Sequence, residues 1–111
     1  MNSITLTGTV SARGKVYESG SFYMIRFTLM TVEVMTTNKE IQWHNLVATN
    51  DLAREIWRDC DKGRGMVVSG RLTYRQVGFI NNQPQYIPEI CVEEFALLSS
   101  ITVSEIQAND H

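Results

Sequence analysis

Cysteine and proline are scarce in this chain of 111 residues, with two of each. Cys60 and Cys91 stand far apart, and neither has a second set of ligand-type residues nearby. This excludes a CxxC-type zinc site and a disulfide framework, and it points to a reducing, intracellular setting. No apolar run approaches the ~20 residues that a membrane helix needs. The opening MNSITLTGTV lacks a basic region followed by an apolar one, so no secretory signal is visible and no membrane association is expected. Internal repeats and low-complexity segments are missing too. There is no Walker loop, no GxGxxG and no HExxH. Histidine occurs only as His44 and His111, and no carboxylate is spaced to orient His44 as a catalytic base. Glu93 and Glu94 are adjacent, and adjacent strand residues face opposite ways, so they do not form a catalytic pair. These absences argue against an enzyme, a metal site or a cofactor. With 43% apolar and 20% charged residues the chain is globular, and its length fits one domain.

A net charge of −2 gives little reason to expect a polyanionic partner until the chain is divided. Residues 1–75 hold all ten Lys and Arg against seven acids, a net of +3, whereas residues 76–111 hold five acids and no base, a net of −5. That asymmetry permits a basic face on an acidic protein.

The periodicity is mostly that of strands. Ile4, Leu6, Gly8 and Val10 alternate with Ser3, Thr5, Thr7 and Thr9, which predicts a half-buried strand over 2–10. Gly14 and Ser19-Gly20 mark turns, and FYMIRFTLMTVEVM (22–35) reads as a long strand whose mixed burial suits a curving barrel. TTNK (36–39) makes a hairpin loop into a third strand over about 40–49, which carries Trp43 and His44. NDLAREIWRDCDKG (50–63) changes period: Leu52, Ile56 and Cys60 recur every fourth residue, with Ala53 and Trp57 beside them. This predicts a helix capped by Asn50 or Asp51, stopped at Gly63, with Trp57 anchored in the core. Strand pattern resumes over 66–77, with a bulge or bend expected at Gly70. Asn81-Asn82 closes a hairpin onto a last strand over 86–98, and Pro84 and Pro88 confine the start of that strand to an edge. Residues 1–99 form the domain; 100–111 read as a short tail from which Ile101, Val103 and Ile106 could dock. Five strands with one helix between the third and fourth match an all-β, five-stranded Greek-key barrel of the OB-fold type.

Binding chemistry is better represented than catalysis. A sheet that holds single-stranded nucleic acid needs ring faces for stacking and cations along the backbone, and each stacked base contributes ~1–3 kcal/mol. Trp43, Tyr74, Phe79 and Tyr86 fall on strands or hairpin ends among Lys39, Arg71 and Arg75, and a tip near Gly78 could reach out as a finger. Phe27, Trp57 and Phe95 read as packing residues, His44 as a hydrogen-bonding residue, and both cysteines as small buried side chains.

Several segments together resemble the bacterial and organellar single-stranded DNA-binding protein family. They are N-x-I-x-L-x-G-x-V (2–10), SGSFYMIRFTLMT (19–31), QWHNLV (42–47), LAREIW (52–57), DKG (61–63) and V-x-G-R-L (68–72), in that order across about residues 2–98. The resemblance implies a non-catalytic OB subunit that wraps single-stranded DNA without sequence preference in replication, recombination or repair. It implies a homo-oligomer, typically a tetramer with a dimer as the alternative, joined through the first strand. It also implies work in the cytoplasm on the nucleoid, or in an organelle. Trp43 matches one of the family's stacking positions; others that usually carry a ring are Met35, Thr49 and Val77 here. Tyr74, Phe79 and Tyr86 are candidate replacements, Met35 offers a soft apolar surface, and Lys15, Arg26, Lys39, Arg71 and Arg75 are candidate phosphate contacts. The sequence ends QANDH, without the family's acidic-hydrophobic tip, which bears on recruitment of replication or repair proteins. Two other readings share the fold: a primosomal replication-restart adaptor, and a protein-interaction module that binds no DNA.

Overall fold

The computed structural model describes residues 1–98. Six strands and one helix follow in the order β1 (Ile4–Arg13), β2 (Tyr17–Ser19), β3 (Phe22–Val34), β4 (Lys39–Thr49), α1 (Asn50–Asp59), β5 (Gly65–Ile80) and β6 (Gln83–Leu97). The sheet runs β1-β5-β6-β4-β3-β2, and β1 also pairs with β3, which closes a five-stranded barrel. The three-residue β2 is a hairpin appendage on β3, so the helix falls between the third and fourth barrel strands, as expected.

β1 closes the barrel because it serves two neighbours. Ile4 to Thr9 pair with Gly70 to Gly65 of β5, then Thr9 to Arg13 pair with Met30 to Phe27 of β3. Where the strand changes partner, a Cβ at Gly8 would collide with the carbonyl oxygen of Met30, so only glycine allows the close crossing. The Asn2 side chain prolongs the ladder: Nδ2 donates to the Leu72 carbonyl at 2.7 Å and Oδ1 accepts from the Leu72 N–H at 2.9 Å.

The interior follows the alternation. Val10, Ile25, Phe27, Leu29, Leu46, Met66, Val68, Ile90 and Val92 form one core with Ala53, Ile56 and Cys60 of the helix. Each buried Val, Leu, Ile, Phe or Met contributes about 1.5–3 kcal/mol by leaving water. The helix therefore plugs one end of the barrel with its apolar stripe. Its ends differ from the expectation. Asn50 sits at φ 54 and its Oδ1 accepts from the Tyr23 N–H, and Thr49 caps without a side-chain bond. The helix stops at Asp59 with Cys60 as its C-cap, before Gly63, whose N–H goes to the Val10 carbonyl. Trp57 is not a core anchor: it is 37% exposed, with the Arg13 guanidinium 3.6 Å from its ring centroid. Arg13 also pairs with Asp61, so the helix flank is covered by a cation in place of the core. Phe27 is buried and Phe95 packs against the core, as read from the sequence.

β5 and β6 run past the barrel as a two-stranded ribbon closed by Asn81 and Asn82, both at positive φ. β6 gains its second neighbour, β4, at Leu46–Ile90 and Val47–Cys91, so Pro84 and Pro88 lie where one side of β6 has no strand partner among the described residues. Register shifts at Ser69/Gly70 and Gln76/Gly78 bend the ribbon. The first leaves Glu93 without a partner; the alternation lapses there, and Glu93 and Glu94 are both exposed. Cys60 is buried as expected, whereas Cys91 is only half-buried. Ile101, Val103, Ile106 and the tail lie outside the described residues.

Candidate nucleic-acid interface

Strand parity sorts the candidates. On β4 the core takes Leu46 and Ala48, so Lys39, Ile41, Trp43, Asn45 and Val47 face outward. The β3 residues opposite them, including Arg26, Thr28 and Met30, share that outer face. On β6 and β5 the core takes Ile90 and Leu72, so Glu89, Cys91, Arg71, Thr73 and Arg75 share it as well. Ala12 joins it through its pairing with Thr28. One outer surface thus gathers Trp43, Lys39, Arg26, Arg71 and Arg75.

Two depressions mark this surface. A groove of about 270 Å³ is lined by Ala12, Gly14, Arg26, Thr28, Asn45, Arg75, Ile87 and Glu89, among others. A cleft of about 110 Å³ opens where β4 and β6 diverge, lined by Trp43, His44, Asn45, Leu72, Pro88, Glu89 and Ile90. Asn45 and Glu89 line both, so the tryptophan end and the arginine end meet across them.

Trp43 is 63% exposed, so the face of its indole is open to a stacking ligand. His44 turns the other way, its Nε2 2.9 Å from Thr31 Oγ1, in keeping with the hydrogen-bonding role read from the sequence. Arg26 and Arg75 do not stand free. Each donates through Nε to Glu89 Oε2, at 2.9 and 3.3 Å, and Glu89 is 4% exposed. Arg71, Lys15 and Lys39 are exposed and make no ion pair among the described residues.

The ribbon aromatics are placed differently. Tyr74 pairs with Pro88, Gln76 with Tyr86 and Phe79 with Pro84, so Tyr74, Phe79 and Tyr86 share the ribbon face opposite Arg71 and Arg75. All three are exposed. Tyr74 alone abuts the cleft, through Pro88. Met35 is exposed at the β3–β4 tip, its N–H donating to the Asn38 carbonyl, and Lys15 lies in the link from β1 to β2. The structure therefore brings Trp43, Arg26 and Arg75 together around the two depressions, with Tyr74 adjoining through Pro88. Arg71 and Lys39 share the outer face but line neither depression, Lys39 standing with Met35 at the β3–β4 tip; Lys15 follows the groove-lining Gly14, and Phe79 and Tyr86 lie on the opposite face of the ribbon. Asn45, Thr28 and Glu89 escaped sequence reading as site residues. Parity puts Glu89 outside, and nothing in the local pattern shows that two arginines cover it.

The model of the single-strand binding protein family matches residues 1–98. A curated single-stranded DNA-binding protein of Bacteroides thetaiotaomicron is 29% identical over 108 residues, covering 89% of this chain. The chain spans 66% of that relative's length. Among solved structures, one described as a Plasmodium falciparum SSB complex with ssDNA superposes at a TM-score of 0.77 with 25% identity, covering 89% of this chain and 96% of the other.

Proposed function

Since the chain belongs to the single-strand binding protein family, we propose that it binds single-stranded DNA without sequence preference, as a non-catalytic protein of replication, recombination or repair. The observation that carries this reading is the exposed Trp43 indole beside a groove lined by Arg26 and Arg75, with Arg71 on the same outer face by register. A base stacks on Trp43, and the backbone runs over Asn45 towards Arg26 and Arg75, with Lys39 and Arg71 flanking. Every base has a π-face, so stacking reads no sequence, and phosphates carry none. Tyr74 is the second platform nearest this path; Phe79 and Tyr86 serve only a strand that turns over the ribbon edge, and Met35 and Lys15 extend the surface.

Residues 1–99 make the binding domain and 100–111 a tail. Assembly is a homotetramer built through β1, whose Ile4–Gly8 stretch has β5 on one side and no described strand on the other. The place of work follows the ligand, the nucleoid or an organelle. No helix among the described residues is long and apolar enough to cross a membrane.

The test is a fluorescence titration with oligo-dT at low and high salt, in a Trp57→Phe background so that only Trp43 reports. Quenching at low salt that fades at high salt is the expected result, because phosphate contacts release counterions. Absence of binding at every salt, in fluorescence and in a gel shift, would leave the barrel as a protein-interaction module.

A further inference from the structure

Glu89 is an acid in the middle of a surface meant to hold a polyanion, and it is almost wholly buried. We propose that Glu89 is the groove's own counter-charge, a positioning residue that aims Arg26 and Arg75 and limits how tightly single-stranded DNA is held. This rests on the DNA-binding reading above.

Both arginines use Nε, the donor nearest the stem, to reach the same oxygen, Glu89 Oε2. The Nη groups of both then have no protein partner among the described residues. Their side chains stay 39% and 38% exposed and line the groove. A buried carboxylate is stable only with its cations, so the two guanidinium groups are pinned at Nε while their outer edges face the groove. Those edges are the part that meets a phosphate in a two-point contact.

The charge balance sets the consequence. Two arginines and one carboxylate leave a net +1 where the residue types alone promise +2. For single strands the slope of log K against log salt changes by about 0.7 per phosphate neutralised. Glu89 thus removes about one counterion's worth of affinity while fixing the geometry of what remains, which favours release of a bound strand.

The experiment is the oligo-dT titration over a sodium chloride series with the full chain. Glu89→Gln keeps the shape and an acceptor oxygen but removes the charge. It is expected to steepen the salt slope by about 0.7 and to tighten binding about fivefold at low salt. A folded Glu89→Gln protein with the wild-type slope, or with weaker binding at low salt, overturns the proposal.

Should that variant fail to fold, the double variant Glu89→Gln/Arg75→Gln restores the net +1. Its slope is expected to equal wild type, whereas Arg75→Gln alone is shallower by about 0.7. A double variant as shallow as Arg75→Gln overturns the proposal. Wild-type protein that does not bind oligo-dT at any salt overturns the DNA-binding reading itself. That result is distinguishable, because the inference alone fails only when wild type binds normally.

Discussion

Two aromatic residues of one type show how differently a side chain is used according to its neighbours. Trp57 lies on the helix flank beneath the Arg13 guanidinium, whereas Trp43 has no comparable partner among the described residues and faces solvent beside the cleft. Replacing Trp43 with alanine should weaken oligo-dT binding by ~1–3 kcal/mol, read by gel shift because the reporter is lost. Unchanged affinity in the folded variant would remove Trp43 from the site.

Cys60 makes a second residue-scale prediction. Burial, with Asp59 nearby, pushes its thiol from 9.0 up to about 11. The folded state thus holds the neutral form more firmly than the unfolded chain does. Stability is complete below about pH 9 and declines as pH rises towards about 11. Urea midpoints measured across that window should fall, and a Cys60→Ala protein should show less of the fall; an equal decline in both would assign it to other groups.

At the scale of elements, the strands were legible because alternation with β-branched and aromatic residues runs through β1, β3 and β4. The helix was legible because Leu52, Ile56 and Cys60 recur every fourth residue, although the structure buries Ala53, Ile56 and Cys60 and leaves Leu52 half-buried. The ends were less so. Asn50 has the composition of a cap, yet its side chain serves the Tyr23 N–H across the barrel mouth, a contact no local pattern encodes. Gly70 was rightly read as a bend, and the reason is tertiary: a Cβ there would strike the Cys91 carbonyl oxygen of β6. Gly70→Ala should therefore cost about 1–3 kcal/mol, seen as a lower urea midpoint. A stability equal to wild type would mean that the β5–β6 ribbon yields without strain.

The molecule as a whole is a barrel closed by one strand with two partners, and part of that strand's edge has no partner among the described residues. An open edge invites pairing with another chain. Light scattering should return about four times the 12.6 kDa of this chain. A mass of one chain at micromolar concentration would contradict the tetramer, and a mass of two would limit assembly to a dimer.

The sequence by itself determined the succession of the five barrel strands, the single helix, the core side of β1 and β3 and the cationic bias of residues 1–75. Periodicity, turn residues and charge are local properties, and local properties can be read in order along a chain. Only the tertiary structure decided which candidates meet. Arg26, Arg75 and Glu89 come from three strands, and the barrel brings them to one oxygen. Tyr74 and Arg75 are adjacent in sequence and end on opposite faces of the ribbon. Neighbours along a strand are divided by its period of two, whereas residues far apart are joined by register, and register is fixed only when the barrel closes.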